Sequence, residues 1–272
     1  LVHWLAGASL HAVRVAQALL GAASCLLVAG AGARWFDARS GLAAGWLIAL
    51  YPPALFFDGE IQKASLSLFL MAALLPLVAA LRHESPPWMA PAAGAVAGLF
   101  ALNRENALLL IPLLAGWLAL APGSPTRRRL LPAALLVVGA LAALAPVALR
   151  NRAIGGELLL TTSQLGTNFY IGNHAGADGR YRPLRPGRGS ARFEREDATA
   201  LAEAAAGRPL SPAEVSRHWL GRALEFIRAE PGAWLRLLGH KWLLVWNARE
   251  IVDTTSIEAA ADVSPLLRAL GR

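Results

Sequence analysis

Residues 41–81 read GLAAGWLIALYPPALFFDGEIQKASLSLFLMAALLPLVAAL. Two apolar runs, 41–57 and 61–81, flank one polar turn that carries Asp58, Glu60 and Lys63. The second run is close to the roughly 20 residues that a helix needs to cross a bilayer. The first is shorter and holds Pro52 and Pro53 near its end, where a proline pair breaks a helix. Tyr51, Phe56 and Phe57 suit the level of a membrane interface.

The same texture extends outward. Further apolar runs cover 12–33, 91–102, 107–121 and 130–149. Hydrophobic residues make up 56% of the 272 and charged residues 16%, with a mean hydropathy of +0.44. These values exclude disorder, collagen and coiled coil. Cys25 is the sole cysteine, so there is neither a disulfide framework nor a cysteine zinc site. The expected fold class is an α-helical polytopic membrane protein. Residues 1–150 form a bundle of about six hydrophobic segments, followed by a small mixed α/β segment outside the membrane. The spacing leaves open whether 91–121 is two spans or one broken hairpin.

The net charge of +8 follows the ends of these runs. Arg34 and Arg39 lie in one loop, Arg82 in a second, and Arg127, Arg128 and Arg129 in a third. Alternating spans put all three on one side, which the positive-inside rule makes cytoplasmic. The turns 58–63 and 103–106 then share the opposite side with everything after Arg150. Asp58, Glu60 and Glu105 fall there too. Polar groups gathered at one face fit a surface enzyme, whereas a transporter places them near the midplane. The bias to Arg, Ala, Leu and Gly resembles a high-GC bacterial genome and points to a bacterial inner membrane, with the outer segment facing the periplasm or exterior.

After Arg150 the chain is mixed. Residues 151–233 read as an extracytoplasmic segment with a short strand at 157–162, a helix at 194–206 and a capped helix from Ser211 to about Ala229. Residues 234–247 are amphipathic, with three tryptophans beside Arg236, His240 and Lys241, and read as an interfacial or re-entrant helix. Residues 248–272 read as a linker to further spans.

Four constellations can carry chemistry. The 51–63 stretch offers Asp58 and Glu60 as carboxylates for a sugar hydroxyl, a metal or an acceptor nucleophile, and Lys63 for a lipid-linked phosphate; its plain alternative is a solvated turn. In Asn103-Arg104-Glu105-Asn106, Arg104 can grip a phosphate in bidentate fashion, with Asn106 beside it, or the four residues form a simple turn. The 161–174 stretch mixes glycine, amide and aromatic residues, among them Asn168, Tyr170 and Asn173, as a carbohydrate-contacting loop does; His174 lacks a partner at zinc-site spacing. Arg180, Arg182, Arg185, Arg188, Arg192 and Arg195 form a solvated basic face or a contact for phospholipid head groups or a pyrophosphate. Nucleotide-binding, serine-hydrolase and zincin motifs do not occur, no cofactor is required by the sequence, no metal site is assigned, and no stacking motif supports nucleic acid.

Several strings together resemble the GT-C membrane glycosyltransferases related to protein O-mannosyltransferases and aminoarabinose transferases. They are YPPALFFDGEIQK, GLFALNRENALLLIPLLAGWL, LRNRAIGGELLLTTSQLGTNFYIGNHAGADGRY and FIRAEPGAWLRLLGHKWLLVWNARE, in that order. The resemblance implies transfer of a sugar from a polyprenyl-phosphate carrier to a glycan, lipid or protein acceptor at the outer membrane face. It matches Glu60 to an acidic residue of the second outer loop, Lys63 to a lysine that meets the carrier phosphate, and Arg104 to the arginine of the outer turn. It further implies that the family's usual catalytic aspartate belongs to a first outer loop upstream of Leu1, and that last spans follow Arg272, so that the chain is a fragment. Two rival classes remain: a transporter or flippase for a lipid-linked saccharide, and a non-catalytic membrane assembly subunit.

Overall fold

The computed structural model describes residues 9–81, 86–120, 126–247 and 256–271. Arg82 of the loop reading, the side chains of 127–129 and residues 248–255 lie outside this description. The chain divides into two compact units, Leu1–Arg150 with Ile257–Arg272, and Asn151–Ser256.

In the first unit, α1 (Leu10–Trp35) starts at Ser9, whose side chain accepts from the Ala12 N–H. α2 (Ala38–Ala49) starts at Asp37, whose carboxylate accepts from the N–H groups of Arg39 and Ser40. Those contacts, led by Ser40, hold the Asp37 carboxyl below its usual range. α3 (Pro52–Gly59) is bent by 51° from α2. The break falls at Leu50–Tyr51, ahead of the prolines. Tyr51 is extended at φ −75° and ψ 110°, as the residue before a proline prefers, and Pro52 and Pro53 open the next helix. The proline pair thus starts a helix where the sequence reading has it end one.

α4 (Ala64–Ala80), α5 (Met89–Asn103), a 3-10 turn (Glu105–Leu109), α6 (Leu110–Ala119) and α7 (Thr126–Gly155) follow. α1 and the Leu130–Ile154 part of α7 are long and apolar enough to cross a membrane singly, and α2 with α3 pass together as one broken span. α4, α5 and the 3-10 turn with α6 are shorter apolar helices. This is an α-helical polytopic membrane protein.

Small residues set the packing. A Cβ on Gly41 would lie 2.4 Å from the Ala29 carbonyl oxygen, and one on Gly94 would lie 1.8 Å from that of Leu136. The glycines therefore let α2 approach α1, and α5 approach α7, at backbone contact. Ala93, Ala97, Leu136 and Ala140 are fully buried, while Leu19, Leu26 and Leu47 are more than 60% exposed. Large apolar side chains on the outside, with alanine and glycine at the close helix contacts, suit a bundle whose solvent is lipid.

The second unit holds α8 (Leu165–Gly172), α9 (Ala191–Ala206), α10 (Pro212–Ala229) and α11 (Pro231–Val245). No strand occurs among the described residues, which corrects the mixed α/β expectation for this segment. At 157–162 the Asn151 amide donates to the carbonyls of Leu159 and Thr161 at 2.9 and 3.0 Å. One side chain thus meets carbonyls that a neighbouring strand would otherwise take. The capping box at Ser211 and Glu214 is present, and the Glu157 carboxylate adds to it by accepting from the Ser211 hydroxyl and the Ala213 N–H. Ala198, Ala202, Val215 and Trp219 form the core, with Tyr170 packed on it.

Residues 257–270, read from sequence as linker, form two short helices of the first unit, α12 (Ile257–Val263) and α13 (Pro265–Leu270). Ser264 and Pro265 supply the cap and first turn of α13.

Candidate active site

The turn after α3 is tied down from two directions. Gln17 of α1 is 7% exposed, and its Nε2 donates to the Glu60 carbonyl at 2.6 Å, with the Phe57 and Gln62 carbonyls at 3.3 Å. Arg14, one helical turn earlier, donates from Nε to the Gly59 carbonyl at 3.0 Å. Ser65, 2% exposed, donates to the Phe57 carbonyl. Carbonyls left over at the end of α3 are thereby satisfied by side chains of α1 and α4.

From the other side comes the 103–106 turn. Asn103 Nδ2 donates to the Lys63 carbonyl at 3.2 Å and to the Ser67 hydroxyl at 2.7 Å. Arg104 Nε donates to the same hydroxyl at 3.1 Å. Ser67 itself donates to the Lys63 carbonyl. Two segments 36 to 40 residues apart thus meet at the first turn of α4. Five residues singled out in the sequence, Asp58, Glu60, Lys63, Arg104 and Asn106, share this end of the bundle. The side chains of Glu60 and Lys63 make no hydrogen bond or ion pair among the described residues. Lys63, Arg104 and Asn106 are exposed, and Glu60 is half-buried.

Asp58 points inward from this rim. A Cβ on Gly21 would lie 1.9 Å from Asp58 Oδ2, so glycine is what lets α1 accept the carboxylate. Asp58 Oδ1 is buried with no hydrogen-bond partner. The carboxylate stands in the wall of an apolar cleft of about 560 Å³ that also takes in Arg14, Cys25, Ile48 and Leu55. Among the described residues no group of His, Cys, Asp and Glu converges to hold a metal ion.

Asn168, Tyr170 and Asn173 lie in the second unit and differ from one another. Asn168 is exposed. Tyr170 is packed between His174 and Trp219, with ring centroids 5.2 and 4.6 Å away. Asn173, 8% exposed, has its amide engaged within the protein. Nδ2 donates to the Phe169 carbonyl, and Oδ1 accepts from Trp234 Nε1 at 3.0 Å and Lys241 Nζ at 3.4 Å. Lys241 also donates to the Gly172 carbonyl at 2.5 Å, and burial pushes its ammonium pKa down. Half of the basic run is paired within the unit. Arg182 pairs with Asp178, whose carboxyl is lowered to about 2, while Arg185 and Arg188 pair with Asp197, which is 2% exposed.

Gln17, Arg14, Gly21 and Ser67 were not singled out by the sequence. One signal was available for the first two: Arg14 and Gln17 are polar residues at the start of an otherwise apolar span.

A family model described as dolichyl-phosphate-mannose-protein mannosyltransferase matches residues 1–149. No curated protein and no solved structure matches the chain. The matched stretch holds the whole rim from Arg14 to Asn106, and by it the chain belongs to the dolichyl-phosphate-mannose-protein mannosyltransferase family of membrane glycosyltransferases.

Proposed function

We propose that the chain transfers a sugar from a polyprenyl-phosphate carrier to an acceptor at the outer face of a bacterial inner membrane, and that the rim around Ser67 is where the carrier's phosphate sits. The observation that carries this reading is the meeting of the Lys63 and Arg104 segments at Ser67. Two cations at one aqueous edge of an apolar bundle suit a phosphate whose chain lies in lipid. Arg104 offers a planar fork and Lys63 a mobile point charge.

In the proposed reaction the acceptor oxygen or nitrogen attacks the anomeric carbon, and the bond from that carbon to the phosphate oxygen breaks. The carrier departs as a polyprenyl phosphate, whose growing negative charge Lys63 and Arg104 offset. The acceptor's proton passes to a carboxylate. Glu60 is the candidate for this step, because its side chain has no partner among the described residues. Asp58 lines the apolar cleft, which offers room for the carrier's first isoprene units. No nucleotide enters the scheme.

The placement of polar groups favours an enzyme over a transporter. Gln17 and Ser65 both serve the turn after α3, and Ser24 spends its hydroxyl on the Leu20 carbonyl of its own helix. The test is sugar transfer from a polyprenyl-phosphate donor by the full chain in lipid nanodiscs. Arg104→Ala is expected to lower turnover about 100-fold or more, and Glu60→Gln by a similar factor, with membrane insertion unchanged. Wild-type turnover in both variants removes the rim from the reaction.

A further inference from the structure

A second cavity, of about 380 Å³, lies wholly within the second unit. Asn168 and Gly172 of α8, Arg180 and Tyr181 of the following loop, Glu194 of α9 and Lys241 of α11 line it. Its volume falls in the range of small-molecule sites. We propose that this cavity binds a phosphorylated saccharide, with Tyr181 against the sugar ring, Asn168 and Glu194 on its hydroxyls, and Arg180 and Lys241 on the phosphate.

The chemistry of the wall argues for this class. Tyr181 is 42% exposed and gives an aromatic face. Its hydroxyl donates to Glu194 Oε2 at 3.4 Å, a long bond that a sugar hydroxyl can replace. Asn168 is exposed and brings an amide that both donates and accepts. The guanidinium of Arg180 has no ion-pair partner among the described residues, unlike Arg182, Arg185 and Arg188 of the same run. Lys241 is fixed by two acceptors, the Gly172 carbonyl and Asn173 Oδ1. An ammonium has three donors, so one remains. Two cations against one carboxylate leave the wall net positive, which a neutral sugar would not use.

Glycine shapes the opening. Gly179 has φ +83°, a conformation that L side chains rarely adopt, and a Cβ there would lie 2.8 Å from Leu244 Cδ1 and 3.3 Å from Lys241 Cγ. The loop is thereby laid down on α11 just before Arg180 and Tyr181.

The site lies wholly within the second unit, and its test measures binding rather than turnover. Titration calorimetry on the full chain in detergent would compare glucose 1-phosphate, glucose, glycerol 3-phosphate and inorganic phosphate. Glucose 1-phosphate is expected to bind about tenfold or more tighter than each of the other three. Arg180→Ala and Tyr181→Ala are each expected to weaken it about tenfold, with the thermal unfolding midpoint unchanged. Equal affinity for glycerol 3-phosphate would show a phosphate or lipid-headgroup contact and overturn the saccharide assignment. Undetectable binding of glucose 1-phosphate, or equal affinity in the two variants, would overturn the site.

Discussion

Arg104 donates from Nε to the Ser67 hydroxyl at 3.1 Å, across 37 residues of sequence. The same hydroxyl accepts from Asn103 at 2.7 Å. Ser67 therefore positions the guanidinium rather than touching the proposed phosphate itself. Ser67→Ala is expected to raise KM for the polyprenyl-phosphate donor about tenfold, the scale of one charge-assisted hydrogen bond, and to change kcat less. Ser67→Thr, which keeps the hydroxyl, should restore KM. A Ser67→Ala enzyme with unchanged KM would show that Arg104 needs no such support.

Close helix approach makes a second prediction. Gly94→Ala puts a methyl 1.8 Å from the Leu136 carbonyl oxygen, a backbone atom that cannot swing away. Gly116 has nothing within 4 Å of its added Cβ. Gly94→Ala should cost about 1–3 kcal/mol as overpacking, while Gly116→Ala should be neutral or stabilising by up to about 1 kcal/mol, since alanine favours helix. Unfolding of both variants in mild detergent checks this pair, and equal effects would contradict it.

Asn173 closes α8 against α11. Asn173→Ala removes the acceptor of Trp234 Nε1 and one of the two acceptors of Lys241. Loss of stability of about 1–3 kcal/mol is expected for donors left unpaired where they are partly buried. Hydrogen exchange should speed up across 165–173 first. Unchanged exchange there would show the knot to be incidental.

Acid should act on the start of α10. Arg208 lowers the Glu214 carboxyl to about 2, with help from the Ser211 N–H. Its folded value lies below the ordinary carboxylate value of 4.5, so the stabilisation is complete above that value and fades as pH falls toward 2. Exchange protection at 211–216 is expected to hold at pH 5 and decline between pH 4.5 and 2. Glu214→Gln should flatten that decline. A wild-type profile without it would place the Glu214 titration elsewhere.

Much of the first unit was legible, for a physical reason. Apolar runs, with arginine at their ends, are properties of the chain itself, and they located the helices. The capping residues Ser211, Pro212 and Glu214 likewise act within one turn. What stayed hidden depends on distant partners. Gln17 reads as one amide in an apolar helix until its acceptors at 57–62 are in place. The leucines at 158–160 look like a strand until Asn151 takes the carbonyls. The arginines at 182–188 look like a free basic face until Asp178 and the buried Asp197 pair with them. Asn173 reads as a sugar contact, while in the fold its amide engages Phe169, Trp234 and Lys241.

The central claim is that one rim, at the outer membrane face, receives the donor's phosphate. Single cysteines at Ile61, which is 45% exposed, and at exposed Asn106, in a Cys25→Ala background, would flank Lys63 and Arg104 without removing them. Labelling of intact cells with a membrane-impermeant maleimide is the most direct measurement. Both positions are expected to label from outside, and both to be slowed by added polyprenyl-phosphate-linked sugar. Labelling of either position only after permeabilisation, or rates indifferent to the donor, would contradict the account.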